Sequence, residues 1–316
     1  MSPWLLAGLL YLGSGVGLTA LYFIRSASGE AGLTRADLPW LAGTVVFGGM
    51  LGPIFLMYGL TFTDGASASL LLNLEAVLTL AIAWVVFREH VDRRLFAGAV
   101  AIVAGALLLS WQGEFGKAGW GALLIALACL AWGIDNNLTR KISAADPVVI
   151  AAIKGIIAGS VNTALAFSLD AALPPIPAIG AAMLLGFFSY GLGLVLFILA
   201  LRHLGAARTG AYYGTAPFIG ALGAAIILGQ PLTVTLLIAG VLMAFGAWLH
   251  LSERHGHEHT HEPLDHAHRH VHDEHHQHEH GPDDPQGEPH AHPHRHAPLR
   301  HAHAHWPDLH HRHGHG

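Results

Sequence analysis

Along residues 3–251 the chain alternates long apolar runs with short charged stretches, and after Leu251 that pattern stops. Nine runs can be distinguished, at roughly 3–24, 39–60, 66–87, 95–111, 118–138, 147–169, 177–201, 207–228 and 231–251. A run of about 18 or more apolar residues reads as a membrane-spanning helix, because that length matches the hydrocarbon thickness of a bilayer. Lipid supplies no hydrogen bonds to the backbone, so these runs are expected to be helices and not strands. The fold class implied is an all-α polytopic membrane protein with nine spans.

Composition agrees with the pattern. Hydrophobic residues make up 53% of the chain and charged ones 12%, with mean hydropathy +0.46 in spite of a polar C-terminal segment. One cysteine, Cys129, lies inside an apolar run, which excludes a disulfide framework and any CxxC metal or redox site. No phosphate loop, nucleophile elbow or zinc-protease motif is present, so an enzyme is not expected. The net charge of −5 is spread over loops and tail, and no nucleic-acid partner is expected.

The loops alternate in basic residues. Arg25 and Arg35, then Arg88, Arg93 and Arg94, then Arg140 and Lys141, then Arg202 and Arg208, then Arg254 fall on one side; the other side holds only Lys117. The positive-inside rule puts the first set and the tail in the cytoplasm. With an odd number of spans, the N-terminus is expected outside, in the cell inner membrane. The first run has no basic residue before it and Arg25 after it, which favours an uncleaved helix over a signal peptide.

The chain also repeats itself. Gly59-Leu60, Ala68-Ser69 and Glu75-Ala76 correspond, about 141 positions on, to Ala200-Leu201, Thr209-Gly210 and Ala216-Pro217. Internal symmetry of this kind marks transporter folds. Pro39-Trp40, Gly48-Gly49, Tyr58-Gly59-Leu60, Ala66-x-Ala68-Ser69 and Glu75 in the first half resemble EamA-type transporters of the drug/metabolite transporter superfamily. Ala131-Trp132-Gly133, Asn136-Asn137-Leu138-Thr139-Arg140 and Lys154-Gly155 extend the resemblance into the second half. Covering roughly residues 3–251, it implies two inverted repeats of five helices each, with residues 1–113 as the first repeat and 114–251 as the second; residues 252–316 remain as a disordered His-rich tail, read from composition. It also implies a departure: the helix holding Trp132-Gly133 has no counterpart in the first half, so this chain is expected to lack its first helix and to carry four of five there.

Polar groups within the spans are the candidate site, since each costs a few kcal/mol in lipid unless paired or hydrated. Glu75 lies near mid-span with Asn73 close by; Lys154 lies inside its run with Asn162; Asp135, Asn136 and Asn137 sit near the cytoplasmic end of theirs. One reading is a central cavity where Glu75 takes up a proton or a cationic group and Lys154 holds an anionic one. The other is a structural Glu75–Lys154 pair, with Asp135 an interface residue near Arg140 and Lys141. Trp132, Tyr212 and Tyr213 are candidate lining aromatics, although aromatics on helices also serve as packing or interfacial anchors. Pro217 is a candidate hinge or a packing kink. Gly13/Gly17, Gly48/Gly52, Gly155/Gly159 and Gly210/Gly214 are small-xxx-small pairs expected to let helices approach.

All but three of the 26 histidines lie between His255 and His315. His255, His257, His259 and His261, then His266, His268, His270 and His272, then His275, His276, His278 and His280, and finally His290, His292, His294 and His296 form His-x-His or adjacent pairs. Imidazoles of this kind bind Zn, Ni, Co or Cu. Without apolar periodicity the segment cannot bury a core and is expected to lack regular structure. Three functions remain open from sequence. The first is a secondary active transporter, a proton-coupled exporter of small metabolites or amino acids working by alternating access and needing no cofactor. The second is an exporter of divalent metals with the tail as collector, and the third a membrane-tethered metal-binding protein that transports nothing. No span holds a His-x-His or cysteine cluster, which counts against the second.

Overall fold

The computed structural model describes residues 1–25, 30–86, 91–111, 117–252, 256–260, 264–270, 290–296 and 300–304. Twelve α-helices follow in chain order: α1 Pro3–Ile24, α2 Leu38–Thr44, α3 Gly52–Gly59, α4 Gly65–Leu71, α5 Leu74–Val85, α6 Arg93–Ser110, α7 Lys117–Ile142, α8 Pro147–Ser168, α9 Ile176–Gly186, α10 Gly193–Tyr213, α11 Ala216–Ile227 and α12 Val234–Leu251. Their starts are written locally. The side chains of Ser2, Asp64, Asp92, Asp146 and Thr233 accept from backbone N–H groups in the first turns of α1, α4, α6, α8 and α12. Such caps satisfy donors that the helix itself cannot.

Several short helices are pieces of longer ones. π-helical turns at Val45–Leu51 and Phe187–Leu192 join α2 to α3 and α9 to α10, and Leu72-Asn73 interrupts α4 and α5. Taken this way, eight helices among the described residues are long and apolar enough to cross a bilayer: Pro3–Ile24, Arg35–Gly59, Gly65–Val85, Arg93–Ser110, Gly119–Ile142, Pro147–Ser168, Ile176–Leu204 and Val234–Leu251. The remaining expected span, 207–228, is not one helix. Its first residues continue α10 to Tyr213, and after Gly214-Thr215 the chain forms α11. At 1.5 Å per residue the 12 residues of α11 reach about 18 Å, short of the roughly 30 Å hydrocarbon layer. Hydropathy could not see this, because a helix passing through Leu204 and a loop there share the same composition.

Close backbone approach brings the helices together. α1 runs along α8, and α6 along α12. A Cβ at Gly155 would lie 2.5 Å from the Gly15 nitrogen, and one at Gly246 would lie 2.6 Å from the Gly98 oxygen. In lipid, where apolar burial drives helices together weakly, such glycine contacts supply van der Waals packing that a larger residue would prevent. The expected small-residue contacts form at Gly13, Gly17, Gly48, Gly52, Gly155 and Gly159; at Gly210 the nearest neighbour is an Ala76 Cα at 4.0 Å, so that position is loosely packed.

Polar contacts tie helix ends. Arg25, after α1, pairs with Asp146, the cap of α8, and stacks over Tyr22. Arg202 of α10 is 3% exposed; its Nη1 meets Glu30 at 3.0 Å, Nε donates to the Ser143 carbonyl at 2.6 Å and Nη2 to that of Ala145 at 2.8 Å. Basic residues that sequence uses only to orient the chain thus also clamp the connector after α1 to the turn before α8.

In the tail, the described stretches form four strands, β1 Gly256–Thr260, β2 Leu264–His270, β3 His290–His296 and β4 Arg300–Ala304, where no regular structure was expected. β1 pairs antiparallel with β4 and β2 with β3. His-x-His alternates at the two-residue period of a strand, which makes such pairing compatible with the sequence. Two-stranded ribbons are marginal in water by themselves.

Candidate substrate cavity

The two π-helical turns shape the centre of the bundle. A π turn leaves carbonyls poorly engaged within the helix, and side chains from other elements take them up. Tyr11 Oη donates to the Gly48 carbonyl at 2.7 Å, and Trp132 Nε1 donates to the same oxygen at 3.2 Å. Asn162 Nδ2 donates to the Gly49 carbonyl at 3.0 Å. In the second π turn the Tyr190 carbonyl accepts from Ser14 Oγ at 3.0 Å. Three helices are therefore keyed to one irregular turn at Gly48-Gly49, beside which the charged groups lie.

Lys154 of α8 is fully buried, and its Nζ lies 2.5 Å from Asp135 Oδ2 of α7. Thr139 Oγ1, one turn further along α7, donates to the other Asp135 oxygen at 3.1 Å. Gly48 is what lets this pair exist: a Cβ there would come within 2.0 Å of Asp135 Oδ2 and 2.6 Å of Lys154 Nζ. Glu75 of α5 stands apart from the pair. Asn136 Nδ2 donates to its Oε1 at 2.9 Å and to Thr79 Oγ1 at 3.1 Å.

These groups line a cavity of about 330 Å³. Glu75, Asp135 and Lys154 are its charged lining residues; Tyr11, Trp132, Tyr190, Phe197 and Tyr213 form much of the remaining wall. Tyr11 and Tyr190 lie ring to ring at 4.9 Å, and Phe197 and Tyr213 at 5.1 Å. Ser69 at the end of α4 donates to the Pro217 carbonyl at the start of α11, at 2.8 Å, so the broken helices of the two halves meet at the cavity. A small, largely apolar cavity with a few convergent polar groups, placed inside a membrane bundle, suits a small organic solute.

The EamA-like transporter family matches residues 1–111 and 119–252. The chain belongs to that family. Among its relatives, an uncharacterized transporter of Methanothermobacter thermautotrophicus is 28% identical over 71% of this chain and 68% of its own. A probable amino-acid metabolite efflux pump of Salmonella typhimurium is 27% identical over 79% of this chain and 86% of its own. A protein crystal structure at 20% identity aligns with a TM-score of 0.63 over 80% of this chain and 89% of that one, which shows a shared fold.

Within this EamA-like fold the sequence candidates divide. Glu75, Trp132, Asp135, Asn136, Lys154, Tyr213 and Pro217 all reach the cavity. Lys154 pairs with Asp135 and not with Glu75, because α7 and α8 face each other at this level while Glu75 is held by Asn136. Asn73, Asn137 and Asn162 are buried but lie outside the lining. Each spends its amide on a carbonyl: Asn73 on Leu70, Asn137 on Thr79 and Gly133, Asn162 on Gly49. Tyr212 lies outside the lining while the adjacent Tyr213 is part of it, although both are about half exposed. Tyr11, Ser69, Thr79 and Tyr190 were missed. Thr79 was legible, one helical turn after Glu75 and hence on the same face; Ser69 aligns with cavity-lining Gly210 in the internal repeat. Nothing local marks Tyr11 or Tyr190.

Among the described residues no group of three or more His, Cys, Asp or Glu is placed to hold a metal ion. Of the tail histidines, His255, His261, His272, His275, His276, His278 and His280 lie outside the described residues. His257 and His259 fall in β1, His266, His268 and His270 in β2, and His290, His292, His294 and His296 in β3.

Proposed function

We propose that this EamA-like protein is a secondary active transporter of the inner membrane that exports small metabolites or amino acids by alternating access between two inverted halves, with Glu75 coupling the cycle to protons. The observation that carries the reading is Glu75 itself. Its carboxyl group faces the cavity, one oxygen held by Asn136, and the neighbouring ammonium of Lys154 is already engaged by Asp135. A carboxylate left without a countercharge at this depth is costly, so the group exchanges between a bound proton and a bound solute cation. The Ser69–Pro217 contact, close to the two helix breaks, supplies a seam between halves that can open and close. The name of the Salmonella relative, an amino-acid metabolite efflux pump, supports the solute class. The tail and the basic loops are placed in the cytoplasm, following the arginine bias. The His-rich tail binds Zn, Ni, Co or Cu as an appendage that transport does not need.

The test is Glu75→Gln in proteoliposomes. Glutamine keeps a carbonyl oxygen for Asn136 but cannot ionise, so efflux driven by an imposed proton gradient is expected to stop while passive counterflow remains. Proton-driven flux at the wild-type rate in that variant removes Glu75 from the coupling step.

A further inference from the structure

The charges lining the cavity specify more than a small solute. We infer that the transported species is a monovalent organic amine, an ammonium carried on an apolar or aromatic body and lacking a carboxylate, and that an ordinary amino-acid zwitterion is disfavoured. This rests on the transport reading above and narrows its solute class.

Two carboxylates and one ammonium line the cavity, so the site with Glu75 ionised carries one net negative charge. The charge of the ammonium is already matched. Lys154 is 2% exposed, its Nζ sits 2.5 Å from Asp135, and Gly48 packs over the pair with no room for a Cβ. A substrate carboxylate at Lys154 would share that one ammonium with Asp135, leaving three buried carboxylates, Glu75 included, against a single cation. Burying an anion without its countercharge is strongly unfavourable in a low-dielectric interior. A substrate ammonium meets the opposite situation. Glu75 has one oxygen occupied by Asn136, and Trp132, Tyr190, Phe197 and Tyr213 supply aromatic rings in the surrounding wall, a setting that suits a cation. Adding a carboxylate to such a ligand therefore brings a charge for which the cavity has no partner. One of the two sequence readings pairs Lys154 with an incoming anion; the Asp135 contact weighs against it.

The experiment compares two amines with their parent amino acids, tyramine against tyrosine and isoamylamine against leucine, by isothermal titration of the purified full chain and by counterflow in proteoliposomes. At least one amine is expected to bind ten-fold or more tightly than its parent, and Glu75→Gln is expected to erase that difference. Equal or tighter binding of the amino acids overturns the inference, as does amine binding that Glu75→Gln leaves unchanged. Amino-acid counterflow without amine binding overturns the inference but leaves the transport reading standing. Absence of flux for every solute, with folding verified by an unchanged melting profile, removes both.

Discussion

Lys154→Met is the perturbation whose consequence follows most directly from the site. Methionine approximates the lysine stem in length and lacks the ammonium, so the shape of the α7–α8 contact is retained while Asp135 loses its countercharge. The two side chains are 2% and 6% exposed and 2.5 Å apart, which places the pair with fully buried ion pairs. Removing one partner of such a pair costs about 3–5 kcal/mol, because the surviving charge stays buried, whereas replacing both partners with uncharged groups is often close to neutral. Asp135→Asn alone is expected to cost less, since Lys154 then keeps an amide oxygen within reach. The double variant Asp135→Asn/Lys154→Met should recover most of the stability lost in Lys154→Met, giving a coupling energy of about 2 kcal/mol or more, at the upper part of the range for residues in contact. Thermal unfolding of the four proteins in detergent, followed by circular dichroism or tryptophan fluorescence, reads the cycle. Additive effects would refute the pairing, as would a Lys154→Met protein that melts with the wild type.

Three further outcomes test separate parts of the fold. Arg202→Lys is expected to lower stability by about 2–3 kcal/mol, because a single ammonium cannot serve Glu30 and the Ser143 and Ala145 carbonyls in the directions the guanidinium reaches; an unchanged melting temperature would reject the clamp. Gly155→Val should cost about 1–3 kcal/mol by forcing α8 away from Gly15, while Gly180→Ala, with nothing within 4 Å of the added methyl, should be neutral or slightly stabilising; equal effects at the two sites would deny the close α1–α8 approach. Deleting residues 252–316 is expected to abolish zinc and nickel binding measured by titration while leaving solute flux in proteoliposomes intact, and loss of flux with the tail would give it a part in transport.

Much of the fold was legible from one dimension. Apolar runs announce that lipid is the solvent, and caps such as Asp92 and Asp146 mark helix starts within a residue or two. The repeat relating Glu75-Ala76 to Ala216-Pro217 also has a structural trace, since π turns at Val45–Leu51 and Phe187–Leu192 and helix breaks near Asn73 and Gly214 recur at nearly that spacing. These are local or periodic properties, set by transfer free energy and by hydrogen bonds within a few residues. Polar residues inside the runs were conspicuous for the same reason, and so Glu75, Asp135 and Lys154 could be singled out.

Which of them touch could not be read that way. In a helix apolar on every side, hydropathy does not fix rotation about the axis, and neighbouring residues point about 100° apart. That angle separates Tyr213 in the cavity from Tyr212 outside it, and it decides that Lys154 meets Asp135 while Glu75 meets Asn136. Glycine-to-backbone contacts between helices distant in sequence set those rotations, as do the carbonyls that the π turn at Gly48-Gly49 offers to Tyr11, Trp132 and Asn162. Sequence alone established a membrane helical bundle with charges inside it; tertiary packing decided which of those charges pair with each other.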